Sequence, residues 1–237
     1  MKNYNYVGTE LELFSEAKNW KNYYYQMIRR YLGAEVLEVG AGIGGTTKVL
    51  CRQKHERWVC LEPDSMLVDT LKTTPDLPPI CEIQQGILAE LPDGESFDAI
   101  LYIDVLEHIE ADQREVQRAM THLKPGGFLI VLAPAHQWLF SPFDRAVGHY
   151  RRYNHSMMKK LTPEGLKIVR LNYLDSVGLC ASLSNRWLKQ RMPTQGQIKL
   201  WDTWMVPLSK MIDPILQYTI GKSILGVWKK NNETNSY

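Results

Sequence analysis

The segment Glu38-Val-Gly40-Ala-Gly42-Ile-Gly44-Gly45 holds the clearest chemical signal in this chain of 237 residues. Glycines between a strand and a helix let the backbone turn tightly and bring helix N–H groups against a ligand. Gly40, Gly42 and Gly45 fit the G-x-G-x-x-G spacing of a dinucleotide fingerprint, which plain strand-to-helix corners also produce. Glu62 closes the next apolar run, twenty residues past Gly42, where a carboxylate can accept both hydroxyls of a ribose. Further on, Asp104, Glu107 and His108 stand at i, i+3 and i+4, a spacing that converges on one helical face. Two readings compete for Glu107 and His108: hydrogen bonds that hold the loop near a cofactor, or carboxylate and imidazole ligands to a divalent metal. No third strong acidic partner is evident for a magnesium-type site, so no metal is assigned.

The stretch Phe143-Asp-Arg-Ala-Val-Gly-His-Tyr-Arg-Arg-Tyr is dense in titratable and aromatic groups, as functional loops are. His149 is the general base preferred here, because imidazole titrates near neutrality. A histidine that merely ties down the loop fits the sequence almost as well. Arg151 and Arg152 suit an anionic acceptor group, or else bond loop carbonyls. His136, Phe140 and Tyr153 are placed with them on the acceptor side.

Hydrophobic periodicity sets out the elements that must position these groups. Apolar residues at helical spacing mark an N-terminal helical segment within 1–33, strongest over 11–32. Short β-branched runs then alternate with helical stretches: strands at 34–39, 57–61, 82–85, 98–103 and 128–132, helices at 45–54, 64–73 and 111–123. Lys124-Pro-Gly-Gly reads as a turn. This rhythm means βαβ units and a parallel sheet covered on both faces. After a loop at 136–155 come a short helix at 156–165, a sixth strand at 168–174, a Trp-rich insertion at 175–222 and a seventh strand at 223–228. The expected fold is α/β, a seven-stranded, mostly parallel sheet in one domain. Residues 34–135 form its cofactor half and 136–237 its acceptor half.

Composition excludes several classes. At 44% hydrophobic and 23% charged, the chain is of ordinary globular make-up, not collagen-like, disordered or disulfide-scaffolded. Twenty-eight Lys and Arg against 26 Asp and Glu leave +2, too balanced to point to nucleic acid. The longest apolar stretch, Phe128–Ala135, is far shorter than a membrane span. The first residues lack the apolar core of a signal peptide. Cys51, Cys60, Cys81 and Cys180 form no C-x-x-C pair and read as free thiols in a reducing, cytoplasmic setting.

Glu38 separates the cofactor classes. A carboxylate two residues before the first glycine repels a pyrophosphate and welcomes the ammonium and sulfonium of S-adenosylmethionine. The run also resembles the E-x-G-x-G-x-G signature of class I S-adenosylmethionine-dependent methyltransferases, and the likeness extends over about 34–135. Glu62-Pro63-Asp64 is similar to the family's ribose-binding acid and the turn directly after it. Phe97-Asp-Ala-Ile-Leu and Val105-Leu-Glu-His-Ile resemble its fourth strand and the turn beyond. Leu123-Lys-Pro-Gly-Gly127 resembles the turn before its fifth. The resemblance implies a last strand running antiparallel, and S-adenosylmethionine as cofactor with S-adenosylhomocysteine as product. It implies Glu38, Gly40, Gly42, Gly44, Glu62, Pro63, Asp104 and His108 as the cofactor's neighbours. Metal ligation near Asp104 occurs in some related quinone and RNA-end methyltransferases. One departure stands out: many members carry Gly-Asp-Ala after the third strand, with the Asp on the adenine, and here the residues are Gly86-Ile87-Leu88. Ile87 and Leu88 are assigned to the adenine by position.

The expected function is methyl transfer to a small-molecule or lipid- or sugar-linked acceptor, with no nucleic-acid partner, since no N/D-P-P-Y/F motif follows the fourth strand. The alternatives are a non-catalytic scaffold on the same fold and, less suited to Glu38, a nicotinamide-dependent oxidoreductase. In the insertion, Leu200, Trp204, Leu208, Met211, Ile212, Ile215 and Leu216 recur at helical steps despite Pro207 and Pro214. That stripe caps the sheet as core, forms an oligomer interface or lid, or rests on a membrane surface beside Lys189, Arg191, Lys199 and Lys210. Trp201 and Trp204 are assigned to the acceptor pocket.

Overall fold

The computed structural model describes residues 10–52, 54–188 and 192–232. Residues 1–9 of the N-terminal segment, and Lys189 and Arg191, lie outside these. Two helices, α1 (Glu10–Ser15) and α2 (Lys18–Ile28), lead into β1 (Glu35–Val39). Next come α3 (Thr47–Leu50), β2 (Arg57–Glu62), α4 (Ser65–Thr73), β3 (Cys81–Gln85), β4 (Phe97–Ile103), α5 (Asp112–Thr121) and β5 (Leu123–Pro134). The second half runs α6 (Pro142–Ala146), α7 (His155–Lys160), β6 (Leu166–Leu174), α8 (Ser176–Leu188), α9 (Gln195–Leu200), a π-helical turn (Trp201–Met205), α10 (Val206–Ile215) and β7 (Ser223–Lys230).

The seven strands form one sheet in the order β3-β2-β1-β4-β5-β7-β6, with β7 antiparallel to both neighbours. The direction of chain progress reverses between β1 and β4, where open α/β sheets bind ligands beyond the carboxyl ends of their strands. Period-two alternation sends Val36, Trp58, Cys60, Ala99 and Leu101 to one face and Leu37, Val39, Val59, Leu61 and Ile100 to the other. Both faces are therefore apolar, as a sheet covered on both sides requires.

Three expectations shift. The helix expected at 45–54 shrinks to Thr47–Leu50, because three left-handed glycines occupy the turn before it. Lys124-Pro-Gly-Gly is turn-like but lies within β5: Leu123 pairs with Phe97 and Phe128 with Ala99, so these residues bulge out. The insertion is helical throughout its described middle, yet its apolar stripe is not core. Leu200, Trp204, Leu208, Met211 and Ile215 are exposed, Trp204 at 73% and Ile215 at 78%.

The inner face of α9–α10 mixes core residues (Ile198, Trp201 and Val206) with buried polar ones. Asp202 accepts the N–H groups of Asn19 (3.1 Å) and Trp20 (2.8 Å). It thereby satisfies orphan donors in the first turn of α2 and meets the positive end of that helix. Asp213 accepts from the Tyr23 hydroxyl (2.8 Å) and from the backbone of Asp175 (2.7 Å) and Ser176 (3.0 Å). Asp175 in turn accepts from Trp201 Nε1 (2.7 Å) and the Ser209 hydroxyl (2.6 Å). Buried carboxylates with this many donors are satisfied, so the insertion docks through hydrogen bonds.

Candidate active site

The glycine turn is built at the carboxyl end of β1. Gly40, Gly42 and Gly44 have φ of +69°, +55° and +80°, a region that costs a side chain roughly 1–2 kcal/mol. A Cβ on Gly40 would stand 2.7 Å from Val105, so the turn packs tightly against the segment after β4. A Cβ on Gly42 would meet only Leu11 of α1, at 3.5 Å. The loop is pinned across the sheet: the N–H groups of Gly40 and Ala41 donate to Leu61 O. Glu62, buried at the end of β2, accepts Gly42 N–H on Oε2 (2.8 Å) and Asp64 N–H on Oε1 (3.0 Å). Burial pushes its carboxyl up, while these two bonds pull it back. Each oxygen keeps a lone pair that a ribose hydroxyl can use. Asp64 caps α4 through the N–H groups of Met66 and Leu67, which fixes the turn at Pro63.

Beyond β4, Asp104 adopts φ +54°. Its side chain is exposed to solvent, with protein atoms crowded around it. That enclosure pushes its carboxyl up to about 6, against the pull of His149, Lys222 and Lys21. Lys21, itself lowered to about 8 by burial, donates to Phe14 O and to Ser15 O (3.1 Å), holding the last carbonyls of α1. Phe14 stands 6.5 Å from Phe143 and 6.1 Å from Trp201, ring centre to ring centre, and Phe143 stands 6.3 Å from His149. An aromatic wall thus runs from the insertion to the loop after β5.

Behind this wall lies a charged cluster. His149 Nδ1 is 2.9 Å from Asp144 Oδ1, and Asp144 is paired in fork fashion with Arg152 (2.7 and 2.9 Å). Burial raises the Asp144 carboxyl, but the bonds from His149 and Arg152 outweigh it and hold the group well below the carboxylate range. Glu107 is fully buried, and neither of its oxygens has a hydrogen-bond partner among the described residues. Burial and the neighbouring Asp104 push it well above its ordinary value. His149 Nε2 lies 3.8 Å from Glu107 Oε1, and the His108 ring packs edge-on to His149 at 4.6 Å. Burial and His149 lower His108 to about 4. One ligand atom from each of Glu107, His108 and His149 lies within 4.8 Å of the others. Such a pocket can hold a proton on Glu107 or a divalent cation, with Asp144 orienting the imidazole from behind.

Against this geometry, residues 37–131 match a family model described as "Methyltransferase domain". Demethylmenaquinone methyltransferase of Tropheryma whipplei (strain Twist) is 31% identical over 165 residues, which cover 66% of this chain and 64% of that protein. The chain carries a methyltransferase domain. A second relative in this methyltransferase family, 2-methyl-6-phytyl-1,4-hydroquinone methyltransferase of Synechocystis sp., is 28% identical over 101 residues, covering 42% of this chain and 31% of that one. Among solved structures, coclaurine N-methyltransferase bound to N-methylheliamine and S-adenosylhomocysteine superposes with a TM-score of 0.61 at 17% identity, over 90% of this chain and 72% of that one. At that identity the likeness concerns the fold. The seven-stranded sheet with its antiparallel last strand is the methyltransferase arrangement.

The structure sorts the methyltransferase residues expected from sequence. The glycines, Glu62, Pro63 and Asp104 meet at the carboxyl edge of β1, β2 and β4. Glu38 does not offer its Oε2 to open space: that atom accepts Thr47 Oγ1 and Trp58 Nε1, both at 2.8 Å, inside the fold. Burial raises Glu38 to about 7. Ile87 is half-buried beside Gly86, but Leu88 is fully buried core, so any adenine contact there falls to backbone atoms. Arg151 is committed to Ile109 O and Glu110 O (both 2.8 Å) and to Asp112 (2.8 Å), and Arg152 to Asp144. Neither reaches out for an anion. Tyr153 is buried and donates to Leu106 O and Asp112. His136 is held by Gly221 O (3.0 Å) and stacked on Tyr173, while Phe140 lies beside Arg145. Trp201 is buried with its ring against Lys222 (3.6 Å), whereas Trp204 faces outward, away from any pocket. Sequence reasoning misses Phe14 and Lys21 as site residues. Their partners lie far away along the chain, and no local pattern announces them.

Proposed function

We propose that the chain transfers a methyl group from S-adenosylmethionine to an apolar small-molecule acceptor that enters between Phe14, Phe143 and Trp201. The observation that carries this is the pairing of Glu62, which seats the glycine turn, with Asp104, which stands exposed directly after β4 at the switch point of the sheet. The residues fit the cofactor: left-handed glycines leave room for it and Glu62 keeps two lone pairs for its ribose. When bound, the cofactor supplies an electrophilic methyl on a sulfonium, whose departure as a neutral thioether creates little charge. The chain's work is then to align the acceptor and exclude water.

Where the acceptor is a hydroxyl or an acidic carbon, its proton needs a base. Both ring nitrogens of His149 have carboxylate neighbours, and its side chain is only 9% exposed. Asp104 is the group of this cluster that solvent reaches, and a carboxyl near 6 suits proton acceptance at neutral pH. We assign the base to Asp104 and a positioning role to His149. The names of the curated relatives, a demethylmenaquinone and a phytyl hydroquinone methyltransferase, favour a lipid-linked acceptor of that kind. The match covers only 64% of the first of them. Titration with S-adenosylhomocysteine and a metabolite-extract screen with labelled methyl donor test the reading. Absence of binding ends it, and binding without any labelled product leaves a cofactor-binding protein.

A further inference from the structure

We infer that the outward face of α9–α10 is a docking surface for an anionic lipid bilayer. The helix from Gln195 to Ile215 carries apolar residues on both its sides. Burial sorts its residues into two sides. Asp202, Val206, Ser209 and Asp213 share the inner side, and all four are buried. Leu200, Trp204, Leu208, Met211 and Ile215 share the outer side, exposed at 58, 73, 47, 70 and 78%. A helix in water turns its apolar stripe to the core. Here Ile198, Trp201 and Val206 join the core beside buried Asp202 and Asp213, and a second apolar stripe, with exposed Pro207 and Pro214, is left facing out. Large contiguous apolar patches on a soluble surface mark interaction sites.

Charge decides the occupant. From residue 192 to 221 the charged residues are Lys199, Asp202, Lys210 and Asp213, and both acids are buried. The exposed charges of these two helices are thus Lys199 and Lys210, which fall on one flank of the stripe. A second copy docked on the same face would gather four lysines and no exposed acid from these helices at one interface. Anionic headgroups complement them, and Trp204 suits the interface between headgroup and chain. No helix among the described residues is long and apolar enough to cross a membrane, so the contact is parallel to the surface. Trp201 joins the two sides: it is adjacent to Leu200 in the chain and edge-on to Phe14 of the acceptor wall. The bilayer then lies about one helix diameter, roughly 10 Å, from the cleft. The inference rests on the methyl-transfer reading only for what the bilayer delivers, an acceptor with a lipid tail.

Co-sedimentation of the full chain with vesicles of phosphatidylcholine, alone or mixed with phosphatidylglycerol, tests it. The parent is expected to bind the mixed vesicles more tightly than the neutral ones. Combined Trp204→Ser, Met211→Ser and Ile215→Ser should weaken binding at least about ten-fold, with affinity for S-adenosylhomocysteine unchanged. Lys199→Glu with Lys210→Glu should abolish the preference for phosphatidylglycerol, which also checks the idea if the triple variant folds poorly. A parent that stays in the supernatant with both vesicles overturns the inference. So does a triple variant that binds like the parent, or a parent dimer that the same substitutions dissociate. Vesicle binding by a chain that fails to bind S-adenosylhomocysteine supports docking while the methyl-transfer reading falls.

Discussion

Replacing Glu62 by Gln tests the seat of the cofactor with a nearly isosteric change. Each Glu62 oxygen takes one backbone N–H, from Gly42 at 2.8 Å and Asp64 at 3.0 Å, and offers one further lone pair to a ribose hydroxyl. The amide keeps one carbonyl oxygen and turns an NH₂ group toward the other backbone donor. One bond to the loop and one charge-assisted bond to the ligand are lost. Hydrogen bonds to a charged group contribute about 1.5–3 kcal/mol. Affinity for S-adenosylhomocysteine should therefore fall by roughly 10- to 150-fold. Stability should change less, because burial disfavours the charged form of Glu62 and a neutral amide escapes that cost. A melting temperature lowered by a few degrees is expected, at about 2–4 °C per kcal/mol for a domain of this size. Calorimetric titration alongside a thermal melt, both at one pH, reads the two effects separately. An affinity within two-fold of the parent, with the melting temperature lowered, would refute the ribose assignment and leave Glu62 a loop anchor.

Asp104→Asn should lower turnover by about 10²–10⁴-fold, the usual loss of a general base. His149→Ala should cost less and shift the acid limb of the pH–rate profile; if the two losses are reversed in size, the base is His149. Arg152→Ala removes the fork from the buried Asp144 carboxylate, which keeps Ser141 and His149, and should destabilise the fold by about 1.5–3 kcal/mol in urea unfolding; a loss under about 1 kcal/mol would mean that Arg152 is not structurally committed. Glu107 is raised in the folded state, so folding takes up a proton there, and stability is lost as pH rises from the unfolded value of about 4.3 through the folded one. Glu107→Gln should flatten that pH dependence of the melting temperature. It should also remove any stabilisation that added magnesium, manganese or zinc gives the parent. Identical pH profiles for parent and variant would contradict a buried acidic proton.

The cofactor half was legible because its signals are local. The glycine turn, the β-branched strands and the acid closing β2 each announce themselves within a few residues, and their order sets the topology. Glu38 stands beside the turn, as its spacing implies, but it is satisfied within the fold, since Trp58 reaches it from the neighbouring strand, twenty residues on. The acceptor half misled for a related reason. Arg151 and Arg152 look available in sequence, and their partners come from the turn before α5 and from α6. The insertion's periodicity was real, yet period alone does not say which side faces in. Asp202 and Asp213 decide that through α2 and the start of α8, more than 180 and about 38 residues away in sequence.

The six-residue helix α1 touches both halves of the candidate site through Leu11 and Phe14. Leu11 lies over Gly42, and Phe14, one turn later, leans on Phe143 and Trp201. A helix this short has little stability of its own and depends on what it packs against. The Lys21 ammonium on its final carbonyls acts as the latch. On the proposed function, cofactor and acceptor would both lie against this helix, and a substitution that loosens it should weaken the hold on both together.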